Sequence, residues 1–185
     1  MRYVMRAAGM MGLLMWLTAF SPAAAQDQFG FLPKGGSTLL VEILEDCDEC
    51  DELAVLSTLD KTAEEWRQYF EEQQALGDLS EAEVDVLVHY LVIYFPREAV
   101  SDAQALPRDG RAMVATNCHL CHTVAIAVTQ DRSLERWATF GTMPPHDTLN
   151  IDQQEWTLLA GYLASQTPIA MERIPEELRR GAGGY

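Results

Sequence analysis

The pentapeptide Cys118-His119-Leu120-Cys121-His122 organises the reading of this 185-residue chain. Cys-x-x-Cys-His is the spacing of c-type haem attachment. Two thiols separated by two residues sit on one helical turn, where they add across the two vinyl groups at one edge of a haem and leave thioether bonds. The adjacent histidine then lies beneath the iron and offers Nε2. Its Nδ1 is expected to donate to a carbonyl, which sets the tautomer. A disulfide or half of a zinc site would use the same two thiols. Zinc needs a second pair of ligands close by, and the other cysteine pair lies far upstream among acids, in Cys47-Asp48-Glu49-Cys50-Asp51.

That second pair reveals an internal repeat. Cys47 and Cys50 align with Cys118 and Cys121 at an offset of 71 residues, and the register continues. Thr58 meets Thr129, Asp60 meets Asp131, Lys61 meets Arg132, Glu64 meets Glu135 and Trp66 meets Trp137. After a one-residue insertion, Leu87 meets Leu159, Tyr90 meets Tyr162, Leu91 meets Leu163 and Pro96 meets Pro168. The expected organisation is an N-terminal segment 26–36, one small helical domain at 37–96, a linker at 97–107, a second copy at 108–168 and a tail at 169–185. The tail carries glycines at 181, 183 and 184 and is expected to fray.

The fold class expected is all-α, because no segment sustains period-two alternation. Each copy reads as three helices. Ser37 is placed as the cap of the first, running into Cys47. Thr62-x-x-Glu65 and Ser80-x-x-Glu83 are capping boxes that open the next two. In the second copy Gly110 begins a helix into Cys118, Ser133 opens another, and Asn150-x-x-Gln153 opens the last.

The expected second iron ligand is Met143, in Gly141-Thr142-Met143-Pro144-Pro145. A thioether is a soft donor that favours ferrous iron and raises the reduction potential. His146, three residues on, is the rival ligand, and an open sixth position is the third alternative. Met113 sits at a core position of an amphipathic helix.

Here the second copy resembles a small class I cytochrome c domain. The likeness rests on Gly110 eight residues before Cys118, the Cys-x-x-Cys-His, the Met143-Pro144-Pro145 loop, and a last helix ending Gly161-Tyr162-Leu163. It covers residues 108–168. It implies that the first and last helices cross near the haem and that the methionine loop covers the other face. The tandem arrangement resembles the di-haem cytochromes c and the di-haem domains of quinohaemoprotein dehydrogenases, in which both copies bind haem. This chain departs from that pattern: Asp51 stands where His122 stands, and Glu72 where Met143 stands. The expectation is therefore one covalent haem c and a degenerate, haemless first copy. Cys47 and Cys50 are expected to form a disulfide, with free thiols or a haem held by His89 as alternatives. Trp66, Tyr69, Phe70, Tyr90 and Tyr94 are candidates to fill the vacated core.

Residues 1–25 carry Arg2 and Arg6, an apolar run from Ala7 to Phe20, and Ser21-Pro22-Ala23-Ala24-Ala25. That is the pattern of a secretory signal, cut after Ala25, which places the chain in the periplasm. An uncleaved anchor is the alternative, although the run is short for a span. The formal net charge is −15, and loss of the two arginines takes it to −17. Such a chain repels nucleic acid and anionic lipid, and it attracts a basic protein surface. The expected function is electron transfer to or from a redox partner, with a periplasmic dehydrogenase as one candidate and no enzymatic activity of its own. Two alternatives are a five-coordinate haem sensor or peroxidase-like enzyme, and a partner-docking subunit acting through the first copy.

Overall fold

The computed structural model describes residues 28–180, and within them the chain is all-α, with no strand. The signal segment 1–25 and the glycines of the tail lie outside the described residues. The first repeat contributes α1 (Gly36–Asp46), α2 (Leu53–Leu56), α3 (Ala63–Glu72) and α4 (Glu81–Tyr94). The second contributes α5 (Gly110–Asn117), α6 (Val124–Val128), α7 (Leu134–Phe140) and α8 (Gln153–Gln166), and α9 (Glu176–Arg179) follows.

The capping boxes predicted at Thr62 and Ser80 form. Each hydroxyl accepts the backbone N–H three residues on, and each glutamate reaches back to the cap N–H. Helix α8 opens two residues later than expected. Asp152, not Asn150, is its cap, because Asp152 and Glu155 complete a reciprocal box. Helix α1 shows a different correction. Ser37 lies inside the helix, and the residue before it, Gly35, has no side chain to cap with. Asp109 supplies the missing acceptor from the other repeat. Its Oδ2 takes the Ser37 backbone N–H at 3.1 Å and the Ser37 hydroxyl, while Oδ1 takes the Ala112 N–H at 2.9 Å. One buried carboxylate thus caps the first helices of both repeats, where their dipoles favour negative charge.

In each repeat the first helix crosses the last at a glycine. A Cβ on Gly36 would lie 2.3 Å from Tyr90 Cβ, and one on Gly110 would lie 2.2 Å from Tyr162 Cβ. The tyrosine hydroxyls then reach across. Tyr90 donates to the Pro107 carbonyl at 3.0 Å, ahead of α5, and Tyr162 donates to the Pro33 carbonyl at 2.7 Å, ahead of α1.

The last helices, α4 and α8, pack antiparallel against each other. Gln166 donates to the Ala82 carbonyl at one end, and Gln154 donates to the Ile93 carbonyl at the other. Between them His89 Nε2–H donates to the Thr157 carbonyl at 3.1 Å, its ring lying against Gly161. His89 is therefore at the repeat interface and not at the Cys47 pair. The buried residues of both repeats merge into one hydrophobic cluster. The linker joins it as well: Val100 is buried, and its N–H donates to Ser57 Oγ at 2.9 Å.

The tail is ordered as far as it is described. Ile169 and Ile174 are buried, and Ile169 N–H donates to the Val128 carbonyl at 2.7 Å. Apolar residues at 169 and 174 hold it against α6 ahead of the glycines.

The Ser80 cap makes a pH-dependent contribution. The Ser80 hydroxyl and backbone N–H hold the Glu83 carboxyl below its ordinary range. A carboxyl depressed in the folded state stabilises above its unfolded value, about 4.3, and that gain is lost as pH falls through the folded value. Ser80→Ala is expected to cost about 1 kcal/mol at neutral pH. The difference from the parent should shrink below about pH 4, as urea titrations at a series of pH values would show.

Candidate haem-attachment site

The Cys118–His122 pentapeptide follows directly from α5, whose last turn carries Cys118 as its C-terminal cap. His122 comes next, before α6 begins. Its Nδ1–H donates to the Thr123 carbonyl at 3.0 Å, so Nε2 keeps its lone pair. This is the tautomer in which Nε2 can ligate a metal. Cys118, Cys121 and His122 all line one cleft of about 430 Å³, a size within the range of cofactor sites. Its walls are largely apolar, built from α6, α7 and α8 by Ile126, Phe140, Trp156, Leu159 and Leu163.

The two cysteine pairs differ in state. Cys47 and Cys50 are joined in a disulfide, whereas Cys118 and Cys121 are free thiols. Burial pushes the Cys118 thiol up to about 12. Cys121 is exposed. Because the thiolate is the nucleophile, brief alkylation of the haem-free chain should label Cys121 well before Cys118. Peptide mass mapping gives the order, and equal labelling would contradict the more enclosed placement of Cys118.

Three polar atoms at the cleft are buried without a partner: Arg132 Nε, Trp137 Nε1 and His146 Nδ1. Buried donors are rarely left unpaired. The Arg132 guanidinium lies 4.7 Å from the Phe140 ring centroid and 5.7 Å from that of Trp137. Lys61 sits over Trp66 and Tyr69 in the same way in the first repeat, so this cation–π clamp is a property of the repeat. In the second repeat it stands at the edge of an open cleft. An anionic group entering beside Arg132 and Trp137 would satisfy both donors, as carboxylates on a haem edge do.

The donor set fits a haem better than a bare ion. Cys118, Cys121, His122 and His146 line one cleft, yet among the described residues no three His, Cys, Asp or Glu side chains are grouped to hold a metal ion. A zinc site needs three or four such ligands. A macrocycle brings four nitrogens of its own and asks the protein for one or two.

The structure separates the two candidates for the second ligand. Met143 is 47% exposed and does not line the cleft. His146 does line it, its ring centroid 5.7 Å from Phe140 and 6.1 Å from Trp156. Burial, with a smaller contribution from His122, holds its imidazole below the ordinary histidine value.

The first repeat also has a pocket beside Cys47, of about 530 Å³, but it is lined mainly by polar side chains such as Glu42, Asp46, Glu49 and Gln73, and the aromatics of that repeat are distributed differently. Trp66 and Phe70 are fully buried and stack at 6.0 Å with an interplanar angle of 22°. The position of Phe70 is Gly141 in the second repeat, and the position of Val84 is Trp156. A Cβ on Gly141 would lie 2.3 Å from the Trp156 indole nitrogen. The bulk has moved from the loop side to the last helix, where Trp156 forms part of the wall of the apolar cleft. Asp51, in the place of His122, is held by Tyr69, whose hydroxyl accepts the Asp51 N–H at 2.9 Å and donates to its carboxylate at 3.2 Å. Of the five aromatics expected to fill this core, Trp66, Phe70 and Tyr90 are fully buried, while Tyr69 and Tyr94 are partly exposed.

Sequence reasoning did not find the roles of Phe29, Gly141 and Trp156. Phe29 is buried, its ring centroid 5.8 Å from His119 of the attachment motif. Only the apolar cluster of Phe29, Phe31 and Leu32 in the N-terminal segment hinted at this. No family model, curated protein or solved structure matches this chain.

Proposed function

We propose that the second repeat carries one haem c, attached through Cys118 and Cys121 with His122 as an iron ligand, and that the protein is a periplasmic electron carrier or electron-transfer subunit. The observation that carries this reading is the Cys-x-x-Cys-His at an apolar cleft, with His122 Nε2 left free by the bond from Nδ1 to Thr123. When bound, the haem supplies one-electron exchange between ferric and ferrous iron. Cys118 and Cys121 tether its edge, and His122 is oriented by the backbone. Arg132 and Trp137 offer donors to carboxylates, while Trp156, Leu159 and Leu163 exclude water.

The acidic balance of the chain suits a basic redox partner, such as a periplasmic dehydrogenase. Association of that kind slows as salt is raised. Part of this acidity has an internal use: Glu83 closes the α4 capping box and Asp85 pairs with Arg67. Among the described residues no helix is long and apolar enough to cross a membrane.

The test is the intact mass of protein matured in a bacterial periplasm with cytochrome assembly, before and after reduction and alkylation. One added haem with two alkylatable cysteines supports the reading. No added haem overturns it. Two added haems would retain a haem protein but overturn the haemless first repeat.

A further inference from the structure

We infer that the second protein ligand to the haem iron is His146 and not Met143, so that the site is a bis-imidazole centre. This rests on the haem reading above. Among the described residues, His146 is the one imidazole or thioether outside the attachment motif that lines the cleft. The loop that carries it leads from α7 to α8. Phe140, at the end of α7, and Trp156, in α8, flank its ring.

The backbone fixes this choice. The Met143 carbonyl accepts the His146 N–H at 2.8 Å and the Asp147 N–H at 3.3 Å, and the Met143 N–H donates to the Phe140 carbonyl at 3.1 Å. The next turn, His146–Thr148, is a single 3₁₀ turn closed by Leu149 N–H on the His146 carbonyl at 3.1 Å. Both backbone groups of Met143 are thus engaged in a turn that leaves its side chain half exposed and directs the following imidazole inward. Bringing the Met143 sulfur to the cleft would require undoing that turn and displacing a ring seated between two aromatics. The repeat agrees: the position of Met143 is the exposed Glu72 in the first copy, so this site on the fold is a surface position in both.

The consequence is functional. Imidazole lacks the soft sulfur that stabilises ferrous iron, so a bis-imidazole haem has a lower potential than a His/Met haem in similar surroundings. The carrier would then serve the reducing end of a chain of redox partners.

The experiment uses the full, haem-loaded protein and reads ligation directly. Intact mass is taken first: absence of covalent haem would overturn the haem reading itself, independently of this inference. On loaded protein, the oxidised near-infrared and electron paramagnetic resonance spectra should show low-spin iron without a sulfur-to-iron charge-transfer band. Met143→Leu should leave both spectra and the potential unchanged. His146→Ala should give high-spin iron that added imidazole returns to low spin. A charge-transfer band in the unaltered protein that Met143→Leu removes would overturn the inference, as would high-spin iron in the unaltered protein. Should His146→Ala fail to accumulate, the unaltered protein and Met143→Leu decide the matter.

Discussion

His122→Ala is expected to abolish stoichiometric haem in periplasmic protein, while Asp51→His is expected to add none. The first half follows from the geometry of the motif. The His122 ring is fixed through Nδ1 on the Thr123 carbonyl and presents Nε2 at the cleft. Without it, two thiols remain, one of them partly buried with its pKa raised by desolvation. In an oxidising compartment such a pair is free to form a disulfide instead. The second half follows from volume. Asp51→His restores a complete Cys-x-x-Cys-His in the first repeat, so sequence spacing alone would predict two haems. The fold says otherwise, because Trp66 and Phe70 are stacked and fully buried where the second repeat has Gly141 and its cleft. The Cys47–Cys50 disulfide also removes the thiols from reaction. Intact mass of each variant decides both halves. A full haem complement in His122→Ala would remove that residue from the site. Two haems in Asp51→His would show that the aromatic stack yields to a cofactor.

Gly110→Ala is expected to destabilise the whole protein by about 3 kcal/mol, the upper end of what overpacking costs. The new methyl would sit 2.2 Å from Tyr162 Cβ and 2.6 Å from Cγ. The obstructing atom is the root of the tyrosine side chain, so no rotamer relieves the clash and Tyr162→Ala would not rescue it. Helices α5 and α8 must move apart. That motion strains the Tyr162 hydroxyl bond to Pro33 and the Asp109 cap shared with α1. Since the repeats share one core, the loss should appear as a single shifted transition in urea denaturation followed by far-UV circular dichroism. Gly36→Ala, 2.3 Å from Tyr90 Cβ, should behave alike. A change below about 1 kcal/mol would mean that the helix crossing is looser than described.

Much of the architecture was legible in the chain itself. Helices report through local chemistry, and the boxes at Thr62 and Ser80 need only residues three apart. The repeat register was legible because paired residue types recur at one offset. The capping of α1 was not, because its acceptor, Asp109, is 72 residues from Ser37 in the chain. The start of α8 was misplaced because Asn150 and Asp152 both have a partner three residues on. The two carboxylates won by closing a reciprocal pair.

The candidate site divides in the same way. Spacing within five residues singled out Cys118, Cys121 and His122 as candidates, because the geometry of a Cys-x-x-Cys-His is local. It also named Met143 as the expected second ligand and His146 as its rival. The opposite order inferred above depends on a turn in which Met143 accepts two N–H groups and on the seat between Phe140 and Trp156. The sequence by itself determined an all-α chain with two related halves and one Cys-x-x-Cys-His, since helix caps and cysteine spacing are local and the repeat is written in matching residue types at one offset. Only the tertiary structure decided that the halves share one core, that the apolar cleft lies in the second repeat while the pocket at Cys47 is lined mainly by polar side chains, and which side chain of the α7–α8 loop faces the apolar cleft. Those outcomes depend on where bulky side chains from distant segments meet, and no local pattern records that.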